Sequence, residues 1–266
     1  MRVPSSIPFY DALATRYDAL FDAPHRRAYD DLAWEVTRSL LPERPGVVID
    51  AGCGTGRWIE RIVELSHRVI GIEPAPAMAA VARARANGCG RFTVIESRME
   101  DVDLPDASAE AVLALGSLQY TRDPDTMLVR LARWARPGGR VVVLVDSLIA
   151  LIAELVAAGK HDEALQRLET RVARWVLGDR DVQYHLLDRD RLQRMAERAP
   201  LTDVRIQGLL VGATILGRVG LCEALSRDAG AQIALERRLA DVTGLADAGK
   251  QLLLVGRRVA MAGEQA

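Results

Sequence analysis

Lysine is almost missing from these 266 residues: Lys160 and Lys250 are the only two, and arginine carries the rest of the positive charge. Acidic and basic residues nearly cancel, leaving a formal net charge of -1. That balance supplies no overall attraction to nucleic-acid phosphates or to an anionic membrane surface. Cysteine is scarce as well. Cys53, Cys89 and Cys222 lie far apart without a C-x-x-C pair, which argues against a disulfide framework or a zinc knuckle and for a reducing compartment. No run of about 18 apolar residues could span a bilayer, and Met1 to Ser6 lacks the apolar core of a signal peptide. Neither an H-E-x-x-H motif nor a carboxylate cluster points to a metal. The expectation is a cytoplasmic protein, monomer or homodimer, with a small-molecule partner, no nucleic acid, no membrane and no metal.

What is present is enough apolar material, 49% of the residues, to bury the core of one large domain. Phe9, Leu13, Tyr17, Leu20, Leu32, Val36 and Leu40 recur at spacings near three and four, the period of two amphipathic helices broken at Pro24. From Gly46 short apolar runs take over: Val47 to Ala51, Arg68 to Glu73, Phe92 to Glu96, Ala111 to Leu115 and Arg140 to Asp146. Helical stretches at Arg57 to Ser66, Ala77 to Ala86 and Pro124 to Ala135 separate them. Repeated βα order predicts a mainly parallel sheet covered on both faces, a doubly wound α/β fold.

After Asp146 the strand pattern stops, and Leu148 to Ala199 reads as a helical insertion with Leu168, Val172, Trp175 and Val176 at helical spacing. Asp203 to Leu210 and Gln251 to Gly256 supply two more strands, seven in all, with a helix at about Leu221 to Val242 between them. Residues 263–266 are expected to fray. The organisation expected is an N-terminal helical cover (1–45), an α/β core (46–147), a helical lid after the fifth strand (148–200) and the remaining core elements (201–266).

The first strand ends in Asp50 and turns through Gly52, Gly54 and Gly56. Glycines there let the backbone pass close to a ligand, and the next helix aims free N–H groups at it. Glu73, closing the second strand, can accept hydrogen bonds from both hydroxyls of a ribose. Dinucleotide-binding proteins share these devices with a G-x-G-x-x-G spacing; here the spacing is G-x-G-x-G.

The ordered set of Asp50, the three glycines, Glu73, the strand leading to Gly116-Ser117 and the Pro137-Gly138-Gly139 turn resembles class I S-adenosylmethionine-dependent methyltransferases of the small-molecule type. The resemblance covers roughly residues 10 to 146. It implies a seven-stranded Rossmann-like sheet with an antiparallel last strand and S-adenosylmethionine across the strand ends. On it, Gly52, Gly54 and Gly56 make room for the methionine portion, Asp50 organises the turn, and Glu73 binds the ribose. Pro74 and Met78 would contact adenine, Arg98 and Met99 would frame its edge, and Leu115 would lie beside the cofactor. Many relatives carry an aspartate where Arg98 stands, so backbone contact from Met99 is expected instead.

Phe9-Tyr10-Asp11 and Tyr17-Asp18 resemble the F-Y-D-x-x-A-x-x-Y-D opening of small-molecule methyltransferases, so Tyr17 is a candidate for cofactor binding and catalysis, and Tyr10 for the acceptor. Gln119, Tyr120 and Tyr184 are further acceptor-binding candidates. His185 is the candidate general base, while His25, His67 and His161 read as structural. The expected function is transfer of a methyl group from S-adenosylmethionine to O, N or C of a small organic metabolite. The alternatives are a nicotinamide-dependent oxidoreductase and a cofactor-binding protein that transfers no methyl group.

Overall fold

The computed structural model describes residues 4–65, 67–85 and 90–260. Cys89 and the expected frayed end at 263–266 lie outside the described residues, as do Ser66 and Ala86, the last residues of two expected helices. One seven-stranded sheet organises the chain. Its strands are β1 (Val47–Ala51), β2 (Arg68–Ile72), β3 (Phe92–Ile95), β4 (Ala109–Leu115), β5 (Ala135–Asp146), β8 (Leu201–Leu209) and β9 (Gln251–Arg258), in the order β3-β2-β1-β4-β5-β9-β8. The first five run parallel, and β9 pairs antiparallel with both β5 and β8. This is the doubly wound arrangement expected, antiparallel strand included.

Each central strand divides its side chains between two buried layers, as the two-residue period of a strand requires. Val141, Val143 and Val145 of β5 join one layer, with Leu128 and Leu131 of α5 (Pro124–Trp134) and Leu192 and Met195 of α8 (Arg189–Arg198). Val142 and Leu144 join the other, with Ala33 of α2 (Pro24–Leu40) and Ile59 and Ile62 of α3 (Ile59–Glu64). Strands covered on both faces therefore read as continuous apolar runs.

The N-terminal segment folds as α1 (Ile7–Leu13), a 3-10 turn at Asp18–Asp22 and then α2, with Pro24 as the first residue of α2, where its missing N–H costs nothing. α4 (Pro76–Arg85) follows β2, and α9 (Val211–Ala240) precedes β9 with non-helical breaks at Gly217 and Asp228.

The expected all-helical insertion is only half right. Residues 148–170 form α6 (Leu148–Ala157) and α7 (His161–Thr170), but a hairpin follows, β6 (Val172–Leu177) and β7 (Arg180–His185), closed by the two residues Gly178-Asp179. Val172, Trp175 and Val176, expected on a helix, lie on β6 instead. The physical reason is that Gly178 sits at φ +64°, the left-handed conformation that two-residue hairpin loops need. The last helix of the segment, α8, packs beneath the main sheet against α5 and β8, so the part standing off the core ends before Asp188.

Candidate active site

Between β1 and β4 the strand order reverses: β2 and β3 lie on one side, β4 and β5 on the other. Open α/β sheets bind ligands at such a switch point, beyond the carboxyl ends of the strands. A cleft of about 630 Å³, its mouth included, opens there. Its floor is the Gly52–Gly54 turn after β1 and the Leu115-Gly116-Ser117 turn after β4. Ser117 Oγ donates to Ala51 O at 2.5 Å and ties the two turns together. One wall is Glu73, Pro74 and Met78 after β2, with Arg98, Met99 and Glu100 after β3; the cover is Ser6, Tyr10 and Tyr17, facing Tyr120 and Thr121.

The glycines differ in what requires them. A Cβ on Gly52 would stand 2.2 Å from Ser117 Cβ, and on Gly56 3.2 Å from both Ala82 Cβ and Ile59 Cδ1. Close packing excludes a side chain at Gly52 and crowds one at Gly56. Gly54 (φ +57°) and Gly116 (φ +78°) have no protein atom within 4 Å of such a Cβ; both line the cleft, so a side chain there would occupy ligand space.

Glu73 is 6% exposed. Its Oε2 accepts from Gly54 N at 3.0 Å and its Oε1 from Ala75 N at 2.8 Å. Burial pushes its carboxyl up to about 7 despite those two donors. Asp50, 3% exposed inside β1, is likewise pushed up to about 7 by burial and then by the charge of Glu73. Two buried acids at the ends of neighbouring strands favour a ligand that brings positive charge.

The N-terminal segment is latched over this cleft by carboxylates. Asp11 Oδ1 accepts from Ala77 N at 2.8 Å, on the first turn of α4, and Asp18 Oδ1 accepts from Thr55 Oγ1 at 2.7 Å, inside the glycine turn. Asp18 also pairs with Arg85, and Asp30 with Arg57.

Of the residues singled out in the sequence, Tyr10, Tyr17, Gly52, Gly54, Glu73, Pro74, Met78, Arg98, Met99, Leu115 and Tyr120 line the cleft. Asp50 and Gly56 stand behind its wall. Two acceptor-binding candidates fall elsewhere. Gln119 is buried, its Nε2 donating to Asp146 Oδ2 at 3.1 Å and its Oε1 accepting from Asp146 N at 2.9 Å, so it clamps the end of β5 rather than facing the cleft. Tyr184 lies one ring further out, 5.3 Å from Tyr120 between ring centres.

His185 is a correction to the general-base reading. It sits 9% exposed on β7, beside the backbone of Thr121, with burial and then Arg191 lowering its pKa. It backs the wall instead of lining it, because the residue alternation of the hairpin turns Tyr184 toward the rings and His185 away. Ser6 and Thr121 escaped sequence reading; neither belongs to a motif, and only the fold brings them to the cleft.

Comparisons with known proteins agree with this geometry. A family described as a methyltransferase domain matches residues 49–143, the span from β1 to β5 that builds the cleft floor. These residues carry a methyltransferase domain. An uncharacterised methyltransferase of Mycobacterium tuberculosis is 34% identical over 102 residues, which is 38% of this chain and 40% of that relative. The chain therefore spans about two fifths of the length of that curated relative. A ubiquinone biosynthesis O-methyltransferase of Idiomarina loihiensis is 27% identical over 216 residues, 78% of this chain and 83% of that protein. In fold, the methyltransferase domain and its flanking elements are similar to a crystal structure described as an S-adenosylmethionine-dependent methyltransferase, possibly a histamine N-methyltransferase, from Thermotoga maritima. Its TM-score is 0.61 at 19% identity, over 94% of this chain and 99% of that one.

Proposed function

We propose that this chain transfers a methyl group from S-adenosylmethionine to a small organic acceptor. The observation that carries the reading is Glu73: a buried acid after β2 that holds the Gly54 N–H and faces the same cleft. The donor set fits that cofactor. A carboxylate beside an open, glycine-floored turn can accept from ribose hydroxyls, and the space at Gly54 and Gly116 admits a chain where any other residue would fill it. Pro74, Met78 and Met99 would offer apolar surface to a base, Arg98 would stand at its edge, and Leu115 would lie beside the cofactor. Asp50 and Glu73, held up near pH 7, are returned to their charged forms by a cationic ligand.

S-adenosylmethionine, when bound, supplies an electrophilic methyl on a sulfonium centre, open to in-line attack. The chain's own share is alignment. Holding two reactants in line is worth about 7 to 11 kcal/mol of barrier, whereas a general base adds about 3 to 5 kcal/mol. Tyr17 and Tyr10 close the cleft from above and exclude water. Burial pushes the Tyr17 phenol up to about 12, so at neutral pH it donates a hydrogen bond and does not act as a base.

Domain roles follow the same reading: 1–45 covers the cofactor, 46–147 binds it, and the stretch after β5 carries the acceptor wall. Trp175 on β6 stacks 4.9 Å from Phe9 of α1, ring centre to ring centre, which docks the hairpin on the cover. The test is incubation with methyl-labelled S-adenosylmethionine and the small-molecule fraction of a cell extract, followed by mass identification. A labelled metabolite supports the reading; binding of the cofactor with no label transferred to any metabolite favours a binding protein instead.

A further inference from the structure

Four tyrosines remote in sequence converge at the acceptor end of the cleft. Tyr10 lies edge-on to Tyr120 with ring centres 5.4 Å apart, Tyr17 is 6.1 Å from Tyr10, and Tyr184 is 5.3 Å from Tyr120. The phenols of Tyr10 and Tyr120 are close enough to influence each other's ionisation. Behind them stands Asp146, the last residue of β5. Its carboxylate accepts from Gln119 Nε2 at 3.1 Å and from Gln251 Nε2 at 3.3 Å, both neutral donors, and acts on the Tyr184 phenol nearby.

Among the described residues no cation pairs with Asp146, and its field reaches the rings. Burial first, and the field of Asp146 in addition, push the phenols of Tyr120 and Tyr184 far up, and Tyr10 moves the same way. The rings stay neutral, and the potential they transmit is negative. Glu100 adds an acid to the cleft wall, while Arg98, the one Lys or Arg lining it among the described residues, follows β3 on the opposite side with Nη2 donating to Ser5 Oγ at 2.5 Å.

Aromatic faces attract cations and disfavour anions. We propose that the methyl acceptor is a small organic amine whose nitrogen seats against Tyr10 and Tyr120, with Asp146 as a positioning residue supplying the counter-charge behind them. The inference rests on the methyltransferase reading and deepens it.

The charge balance of the step agrees. The seated ammonium first releases a proton to solvent; the freed nitrogen lone pair then forms the N–C bond, the C–S bond breaks with its electron pair left on sulfur, and one positive charge passes from sulfur to nitrogen. The new ammonium later loses a proton to water. Positive charge leaves the sulfur and arrives among the tyrosines, where the field of Asp146 stabilises it. A neutral amine needs no base during the transfer itself, which suits a cleft whose one candidate base, His185, stands outside its wall.

The test is titration calorimetry on the full chain saturated with S-adenosylhomocysteine, using three probes of one shape: 2-phenylethylamine, 2-phenylethanol and phenylacetate. The amine should bind about tenfold tighter than the alcohol, and phenylacetate weakest. Asp146→Asn should cut the preference for amine over alcohol about tenfold while leaving affinity for the alcohol and for S-adenosylhomocysteine unchanged. Tyr120→Leu, which removes a ring without touching β5, should cut the same preference should Asp146→Asn fail to fold. Equal or tighter binding of the alcohol or the acid, no binding of any probe, or an amine preference intact in the folded variants overturns the inference. Failure of the wild-type protein to bind S-adenosylhomocysteine overturns the methyltransferase reading itself, and this inference with it.

Discussion

Gly54 N donates to Glu73 Oε2 at 3.0 Å, so the acid that follows β2 also holds the turn that follows β1. One carboxylate therefore shapes the cleft floor and presents itself to a ribose. Glu73→Gln keeps the size of the side chain and loses its charge. Hydrogen bonds to a charged group contribute about 1.5 to 3 kcal/mol, so affinity for S-adenosylhomocysteine should fall roughly 10- to 100-fold. Calorimetry on a variant with an unchanged circular dichroism spectrum checks this; an unchanged affinity would remove Glu73 from the site.

The glycines provide a paired contrast. Gly52→Ala places a Cβ 2.2 Å from Ser117 Cβ at φ +87° and should destabilise the fold severely. Gly54→Ala meets no protein atom and should cost only the left-handed backbone penalty, about 1 to 2 kcal/mol. Its methyl would stand in the cleft, so cofactor binding should be lost from a folded protein. Urea unfolding alongside calorimetry separates the two effects, and equal losses of stability would refute the distinction.

Asp50 and Glu73 also predict a pH dependence. Both folded-state pKa values are raised to about 7, above the unfolded range near 4. Between those limits the folded protein holds protons that the unfolded chain has released. Their contribution to stability is fully present below about pH 4 and is lost as pH rises through about 7, at up to about 1.4 kcal/mol per pH unit for each group. Melting temperatures of the ligand-free protein across that window should fall less steeply with rising pH in Asp50→Asn than in wild type. S-adenosylmethionine, a cation, should oppose the fall, since it favours the ionised acids.

The latch over the cleft can be opened one bond at a time. Asp11 accepts from Ala77 N at the start of α4, a cap supplied from a distant part of the chain. Loss of a helix cap costs about 0.5 to 2 kcal/mol. Asp11→Ala should lose that much in urea unfolding and should speed proteolysis within residues 4–23. Protection identical to wild type would show that α1 is held by its rings alone.

Sequence reading reached the parallel half of the sheet because Val141 to Val145 and their neighbours are buried on both faces, which leaves a continuous apolar run. It reached Gly52, Gly54 and Glu73 because a close backbone approach and a ribose-facing acid impose residue types at set positions. It missed the β6–β7 hairpin. Arg174 and Asp181 pair across it in the open, with the Arg174 Nε to Asp181 Oδ2 distance at 2.8 Å, so its strands carry charge where a core strand would be apolar. The Gly178-Asp179 turn was the available signal. Asp146 was passed over as the end of a strand, since its neighbours Gln119, Tyr184 and Gln251 come from three separate places in the chain. His185 and Tyr184 are neighbours in sequence yet face opposite ways, which only the hairpin decides.

The central claim, that the cleft at the end of β1 belongs to S-adenosylmethionine, is tested most directly by thermal unfolding with S-adenosylhomocysteine and with NADH. A ligand at 100 times its Kd stabilises the folded state by about 2.7 kcal/mol. S-adenosylhomocysteine should raise the melting temperature in wild type and not in Glu73→Ala, with NADH leaving both unchanged. A rise with NADH alone would contradict the claim.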